Sequence, residues 1–201
     1  LIDLRGHGQS DKPHDPDCYD LECRMADIRD VLTDLHIERA HFFGYSMGGW
    51  LAFGLVVHYP KLVHSLIAGG AYPYEDALES FHGVDGSDPD AFIAALEGFI
   101  GEKIPEEAKP IRLQNDLIAL AAAARHRHGF QSYLNLIKQP ILLFVGDQDN
   151  RYAIVRHAAK ELEIEQLVVL PGASHATALY ASAALLLHIT AFLQRHSGVK
   201  S

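Results

Sequence analysis

Cysteine is scarce in this sequence, with only Cys18 and Cys23 among 201 residues. Five positions apart at the start of an expected helix, the two thiols point in different directions and make a poor disulfide pair. Reduced thiols in a cytoplasmic protein are therefore the expectation. Histidine is plentiful, at 13, yet there is no HExxH run, no CxxC pair and no close Cys/His ligand spacing, so no metal is expected. Basic residues are few, 17 Lys and Arg against 26 Asp and Glu, for a net charge of -9. With no broad basic face to neutralise phosphates, nucleic acid is not an expected partner. No apolar run reaches the roughly 20 residues that span a bilayer, and no signal peptide is visible. What remains is an ordinary globular composition, 48% apolar and 21% charged, in a chain long enough to bury a real core.

The apolar pattern alternates between strands and helices. Leu1-Ile2-Asp3-Leu4 reads as the end of a buried strand, followed by a polar Gly/Pro-rich loop, Arg5 to Pro16. A helix is predicted from about Tyr19 to His36, because Leu21, Met25, Ile28, Leu32 and Leu35 fall on one face at steps of four and three. Ala40 to Gly44 reads as a short buried strand, and Ser46 to His58 as a helix apolar nearly all round, stopped by Pro60. Val63 to Ala68, Pro140 to Val145 and Gln166 to Leu170 read as further strands, and Ala153 to Leu162 and Ala181 to Arg195 as helices. Short apolar strands alternating with helices predict an α/β fold, a mostly parallel sheet covered by helices on both faces. From about Ala71 to Lys138 no strand is predicted. Helices are expected at Glu75 to Phe81, Pro89 to Gly101 and Pro110 to Arg127. Long insertions in compact domains usually serve function, so this stretch is expected to cap a site. Three parts result: 1-70, 71-138 as a helical cap, and 139-201.

Gly44-Tyr45-Ser46-Met47-Gly48 matches G-x-S-x-G. Such short patterns arise by chance, but this one sits between a strand and a helix, the setting in which the serine projects from a sharp, strained turn. A side chain at Gly44 or Gly48 is expected to collide with neighbouring backbone. Serine is a poor nucleophile unless a base stands beside it and a third group orients that base. Two later loops offer these groups. Gly146-Asp147-Gln148-Asp149 follows one predicted strand and Pro171-Gly172-Ala173-Ser174-His175 follows the next. Both lie past the carboxyl ends of strands, where open α/β sheets place their sites. His175 would take the proton of Ser46, and Asp149 would hold the imidazole in the needed tautomer. The backbone N–H of Met47 would donate to the oxyanion.

These motifs, with Asp3-Leu4-Arg5-Gly6-His7-Gly8-Gln9-Ser10 before them, resemble the α/β-hydrolase family along the whole chain. The resemblance implies that the first stretch is the loop after the family's fourth strand, with His7 structural. It implies that the second acid of the G-D-x-D run, Asp149, is the triad member and that Asp147 shapes the loop. Some relatives place the acid after the sixth strand, which keeps Glu75 or Asp76 as an alternative. By the same resemblance three strands and a helix should precede Leu1. The chain is thus expected to be a fragment of a longer polypeptide, or to lack strands that another chain supplies. The loop carrying the family's second oxyanion donor is absent, and Ala40 to Gly44 would present an unpaired edge.

The implied function is a serine hydrolase acting on a small-molecule carboxylic ester of small or medium acyl size, with no cofactor. A lactonase, thioesterase, carbon–carbon bond hydrolase or perhydrolase on the same triad stays open. So does a ligand sensor with little turnover, and the aromatic residues Phe81, Phe92, Phe99, Phe130 and Tyr133 suit either use. Haloalkane dehalogenases and epoxide hydrolases share the Asp3 to Ser10 loop but use an aspartate nucleophile, which Ser46 argues against.

Overall fold

The computed structural model describes residues 1–124, 127–164 and 166–196. The chain folds into two compact units, one made of Leu1–Leu35 with Glu75–His128, the other of His36–Tyr74 with Gly129–Ser201.

The second unit holds the sheet. Four of the apolar runs form parallel strands, β1 (Ala40–Tyr45), β2 (Val63–Gly69), β3 (Ile141–Gly146) and β4 (Leu167–Leu170), in the spatial order β1-β2-β3-β4. Their registers align the carboxyl ends. Tyr45 lies opposite Gly69, Gly69 opposite Phe144, and Gly146 opposite Leu170. The residues that follow the strands therefore emerge along one edge. Side chains alternate across the pleat. Ile67, Leu142, Phe144, Val168 and Leu170 pack on one face with Leu185 and Phe192 of α7 (Ser182–His196). On the opposite face α2 (Met47–His58) covers β1 and β2, with Gly49 against Ala68, and α6 (Tyr152–Glu161) lies on β3. Residues Gly49 to Val56 of α2 are all buried, as its unbroken apolar sequence predicts.

β1 differs from the buried strand expected of it. It has one strand neighbour among the described residues, its burial alternates, and Phe43 is 50% exposed.

In the first unit Leu1–Leu4 forms no strand. With no ladder to join, its polar groups are met locally. The Asp3 carboxylate accepts the Gln9 N–H at 2.9 Å, and the Asp3 carbonyl accepts the Ser10 hydroxyl at 2.7 Å. The helix α1 (Leu21–Asp34) buries Leu21, Met25, Ile28 and Leu32, while Leu35 falls beyond its end and is exposed. Arg5 grips Asp27 of α1 with two nitrogens, at 2.6 and 2.7 Å. Arg24 is buried and donates to the carbonyls of Tyr19 and Ala123 at 2.6 and 2.7 Å, and burial with Arg127 nearby pulls its pKa down to about 10.

The helix α3 (Pro89–Ile100) forms as expected, because the Asp88 carboxylate accepts the N–H groups of Asp90 and Ala91. The single helix predicted over Pro110 to Arg127 is instead two, α4 (Lys109–Leu113) and α5 (Leu117–Ala123). Asp116 accepts the Ala119 N–H at 3.0 Å and so starts a second helix. Arg125 and His126, within the predicted range, lie outside the described residues. The helix predicted at Glu75 to Phe81 does not form. Asp76 pairs with Arg127 in an antiparallel bridge, and only one 3-10 turn follows, Glu79–Phe81. Phe81 meets Phe92 and Phe99 edge-on. Phe130 and Tyr133 belong to the sheet unit, around Trp50 and His58. No described helix is long and apolar enough to cross a membrane.

Candidate active site

Ser46 sits between the last residue of β1 and the first of α2, at φ 52° and ψ −113°. A non-glycine residue at positive φ stores strain of order 1–3 kcal/mol, which the surroundings must offset. Two backbone bonds do so. The Ser46 N–H donates to the Gly69 carbonyl of β2 at 2.8 Å, and the Ser46 carbonyl accepts the Trp50 N–H at 3.0 Å, opening α2. The turn is tight because strand and helix meet at Gly44. A Cβ there would lie 2.4 Å from the Gly48 carbonyl oxygen. The expected collision at Gly48 is not found, since a Cβ there meets nothing within 4 Å. The crowded helix residue is Gly49, where a Cβ would lie 2.5 Å from that of Ala71. Met47, the first residue of α2, places its N–H in the turn that carries the positive end of the helix dipole.

The loops after β3 and β4 are bonded to one another. The Gln148 N–H donates to the Ala173 carbonyl at 3.0 Å, and the Gly172 N–H donates to the Asp147 carboxylate at 2.8 Å. This join brings Asp149 and His175 together. His175 Nδ1 donates to Asp149 Oδ2 at 2.8 Å, with both side chains almost wholly buried. The other carboxylate oxygen, Oδ1, accepts the Arg151 N–H at 2.9 Å and lies 3.7 Å from the Arg151 guanidinium. Burial pushes the Asp149 carboxyl up. The bond from His175, its charge, the Arg151 N–H and the Arg151 guanidinium outweigh that push and hold it below the usual carboxylate range. Asp149 is thus kept ionised and pointed at one ring nitrogen.

Gly70 connects this pair to the elbow. It follows Gly69, the acceptor of the Ser46 N–H, and takes φ 53°. A Cβ at Gly70 would lie 2.9 Å from Cε1 of His175 and 3.1 Å from the Tyr45 hydroxyl. Only glycine lets the imidazole settle there. Ser46 and His175 therefore both border the Gly69–Gly70 segment at the carboxyl edge of the sheet.

The other sequence candidates are placed differently. The Asp76 carboxylate accepts the Leu78 N–H at 3.0 Å. His7 Nδ1 lies 3.1 Å from the Arg5 carbonyl inside its own loop, and burial lowers its pKa. Two contributors escaped sequence reasoning. Arg151 is 6% exposed beside Asp149, and Tyr45 donates its hydroxyl to the His175 carbonyl at 2.5 Å. The only sequence signals were an arginine two residues after the acid and a tyrosine inside the serine motif. Cys18 and Cys23 are free thiols. Among the described residues no three His, Cys, Asp or Glu side chains cluster as metal ligands.

Known proteins share this architecture. A Bacillus subtilis protein provisionally named 2-succinyl-6-hydroxy-2,4-cyclohexadiene-1-carboxylate synthase is 26% identical over 201 residues, covering 87% of this chain and 73% of its own length. Mouse epoxide hydrolase 4 is 39% identical over 66 residues, 33% of this chain, and the chain spans only 18% of that relative's length. The solved structure of MenH from S. aureus superimposes with a TM-score of 0.76 at 21% identity, over 98% of this chain and 83% of that one, a likeness of fold. The family model described as "Alpha/beta hydrolase family" matches residues 1–186. With its parallel sheet and helices on both faces, the chain belongs to the alpha/beta hydrolase family.

Proposed function

We propose that the chain is a serine hydrolase that cleaves a carboxylic ester of small or medium acyl size through an acyl-enzyme, with Ser46 as nucleophile, His175 as base and Asp149 as orienting acid. The observation that carries this reading is the buried His175–Asp149 bond of 2.8 Å at the sheet edge where the strained Ser46 turn emerges. With Nδ1 bonded to Asp149, the proton of the Ser46 hydroxyl goes to Nε2 as Oγ attacks the ester carbonyl. The carbonyl electrons move onto oxygen, and the Met47 N–H donates to the resulting oxyanion. The intermediate collapses, the alcohol leaves with the proton from His175, and the acyl group stays on Ser46. Water then attacks with His175 again as base, and the carboxylic acid is released. Gly44 shapes the turn that carries Ser46, and Gly48, expected to do so too, has open space around it. Residues 71-138 act as a helical cap, with 1-70 and 139-201 as the hydrolase core. A cytoplasmic setting is part of this reading, on the scarcity of cysteine in the sequence.

A second reading has one specific support. The Bacillus subtilis relative is named as a synthase of a cyclohexadiene carboxylate. On that likeness the same triad would act on the carbon skeleton of a carboxylate-bearing substrate instead of on an ester. A panel of acyl esters, thioesters, lactones and vinylogous keto acids separates the two. Ester turnover lost in Ser46→Ala supports the first reading. Turnover confined to keto acids would replace it with the second.

A further inference from the structure

We propose that Tyr45 is a positioning residue for the base, holding His175 against the nucleophile elbow through its hydroxyl. The inference rests on the reading of Ser46 and His175 given above. Tyr45 is the last residue of β1 and the neighbour of Ser46. It is fixed on the backbone side by β2, opposite Gly69. Its ring stacks on Phe144 of β3, with centroids 5.7 Å apart and planes 27° from parallel, and lies 5.1 Å from the imidazole of His175. Phe144 is wholly buried, so the phenol rests on a rigid surface. From there its hydroxyl donates to the backbone carbonyl of His175 at 2.5 Å, across 130 positions of sequence.

The acceptor belongs to the very residue that serves as base, and the donor belongs to the residue next to the nucleophile. The loop bonds from Gly172 and Gln148 fix the histidine loop to the acid loop but not to the elbow. The phenol adds a side-chain hydrogen bond between the residue beside the nucleophile and the base, next to the backbone path through Gly69 and Gly70. A purely packing role would ask only for the ring, which phenylalanine provides equally. A hydroxyl that donates to the His175 carbonyl gives the tyrosine a directional task.

The test uses the whole chain and a fluorophosphonate probe, with the rate of Ser46 labelling and the kcat and KM of ester turnover as readouts. Tyr45→Phe removes the hydroxyl alone. p-Fluorophenylalanine introduced at position 45 keeps the ring and fills the vacated space without a donor. p-Aminophenylalanine restores a donor at the ring tip. The expected result is a roughly tenfold slower labelling and kcat in both donor-free forms, equal to about 1.4 kcal/mol. KM is unchanged, and the rate recovers with the amino form. A structural loss would instead lower the titrated fraction of active sites and leave the rate per site intact. The downfield proton resonance of the His175–Asp149 bond gives a readout independent of turnover, and it is expected to broaden or exchange faster when the hydroxyl is gone. If the parent chain is not labelled at Ser46, the serine reading fails, and this resonance alone still decides the role of Tyr45. Folded donor-free forms with the parental labelling rate and the parental resonance would overturn the proposal.

Discussion

The serine elbow and the segment from Glu75 to His128 are built by different means. The elbow is fixed by main chain. The Ser46 N–H is bonded to β2, its carbonyl to α2, and Gly44 lies in contact with the Gly48 carbonyl. The segment 75–128 is fixed by side chains that start and stop short helices, such as Asp88 before α3 and Asp116 before α5. The first design leaves no room for a side chain at Gly44 or Gly49. The second spreads its stability over modest caps and contacts within its own unit. Chemistry that needs three groups in fixed relation belongs on the first kind of scaffold.

This contrast is sharpest at the acids. Asp149 is buried and bonded to His175, whereas Asp76 serves its own turn through the Leu78 N–H. Asp149→Asn is expected to lower kcat on the order of 10⁴, because the imidazole is then held in the wrong tautomer. Asp147→Asn, Glu75→Gln and Asp76→Asn should each stay within roughly tenfold of the parent. Steady-state ester kinetics on the four variants checks this. Near-full activity in Asp149→Asn with loss in Glu75→Gln would move the acid to the other segment.

The glycines give the next largest effect. Gly44→Ala pushes a methyl into the Gly48 carbonyl, a contact of backbone on backbone that cannot relax, and should destabilise by about 1–3 kcal/mol or more. Gly48→Ala meets open space and replaces a poor helix former inside α2, so stability should be unchanged or raised by up to about 1 kcal/mol. Urea denaturation of both variants reads the difference, and equal losses would contradict the main-chain account of the elbow.

Acid stability follows from the same buried pair. The folded-state pKa of Asp149 lies below its unfolded value of about 3.9. Its contribution is therefore complete above that value and is lost as pH falls through the folded pKa. The parent should lose stability more steeply below about pH 4 than Asp149→Asn does. Parallel slopes in pH-dependent melting would show that the carboxylate is not held ionised by its partners. The smallest effect belongs to the caps. Asp88→Ala should cost about 1 kcal/mol and leave the catalytic parameters unchanged, measured by thermal melting and ester turnover.

The same contrast explains what could be read from sequence. The strands β2 and β3 and the helix α2 were legible because burial imposes a continuous apolar run. β1 and β4 were legible from their short apolar runs although their burial alternates, and the order of the Ser46 turn, acid loop and histidine loop followed from the strands they end. The pairing of Asp149 with His175 was legible as a resemblance, and its geometry is now explicit. The bonds from Tyr45 to His175 and from Arg151 to Asp149 were not, since one partner's identity says nothing about a contact 130 residues away and the other is a backbone N–H. In the segment 75–128 periodicity misled. The apolar pattern from Pro110 onward suits one helix, but Asp116 offers the chain a cap that breaks it. At Glu75 to Phe81 the bridge between Asp76 and Arg127, 51 positions apart, competes with helix formation. Leu1–Leu4 has a strand's composition but no ladder to join among the described residues.

The most direct test of the central claim is to locate the adduct of a fluorophosphonate probe on the whole chain by mass spectrometry, in the parent and in His175→Ala and Ser46→Ala. The account predicts a single adduct on Ser46, slowed by several orders of magnitude in His175→Ala and absent in Ser46→Ala. An adduct on another residue, or one that persists in Ser46→Ala, would contradict it.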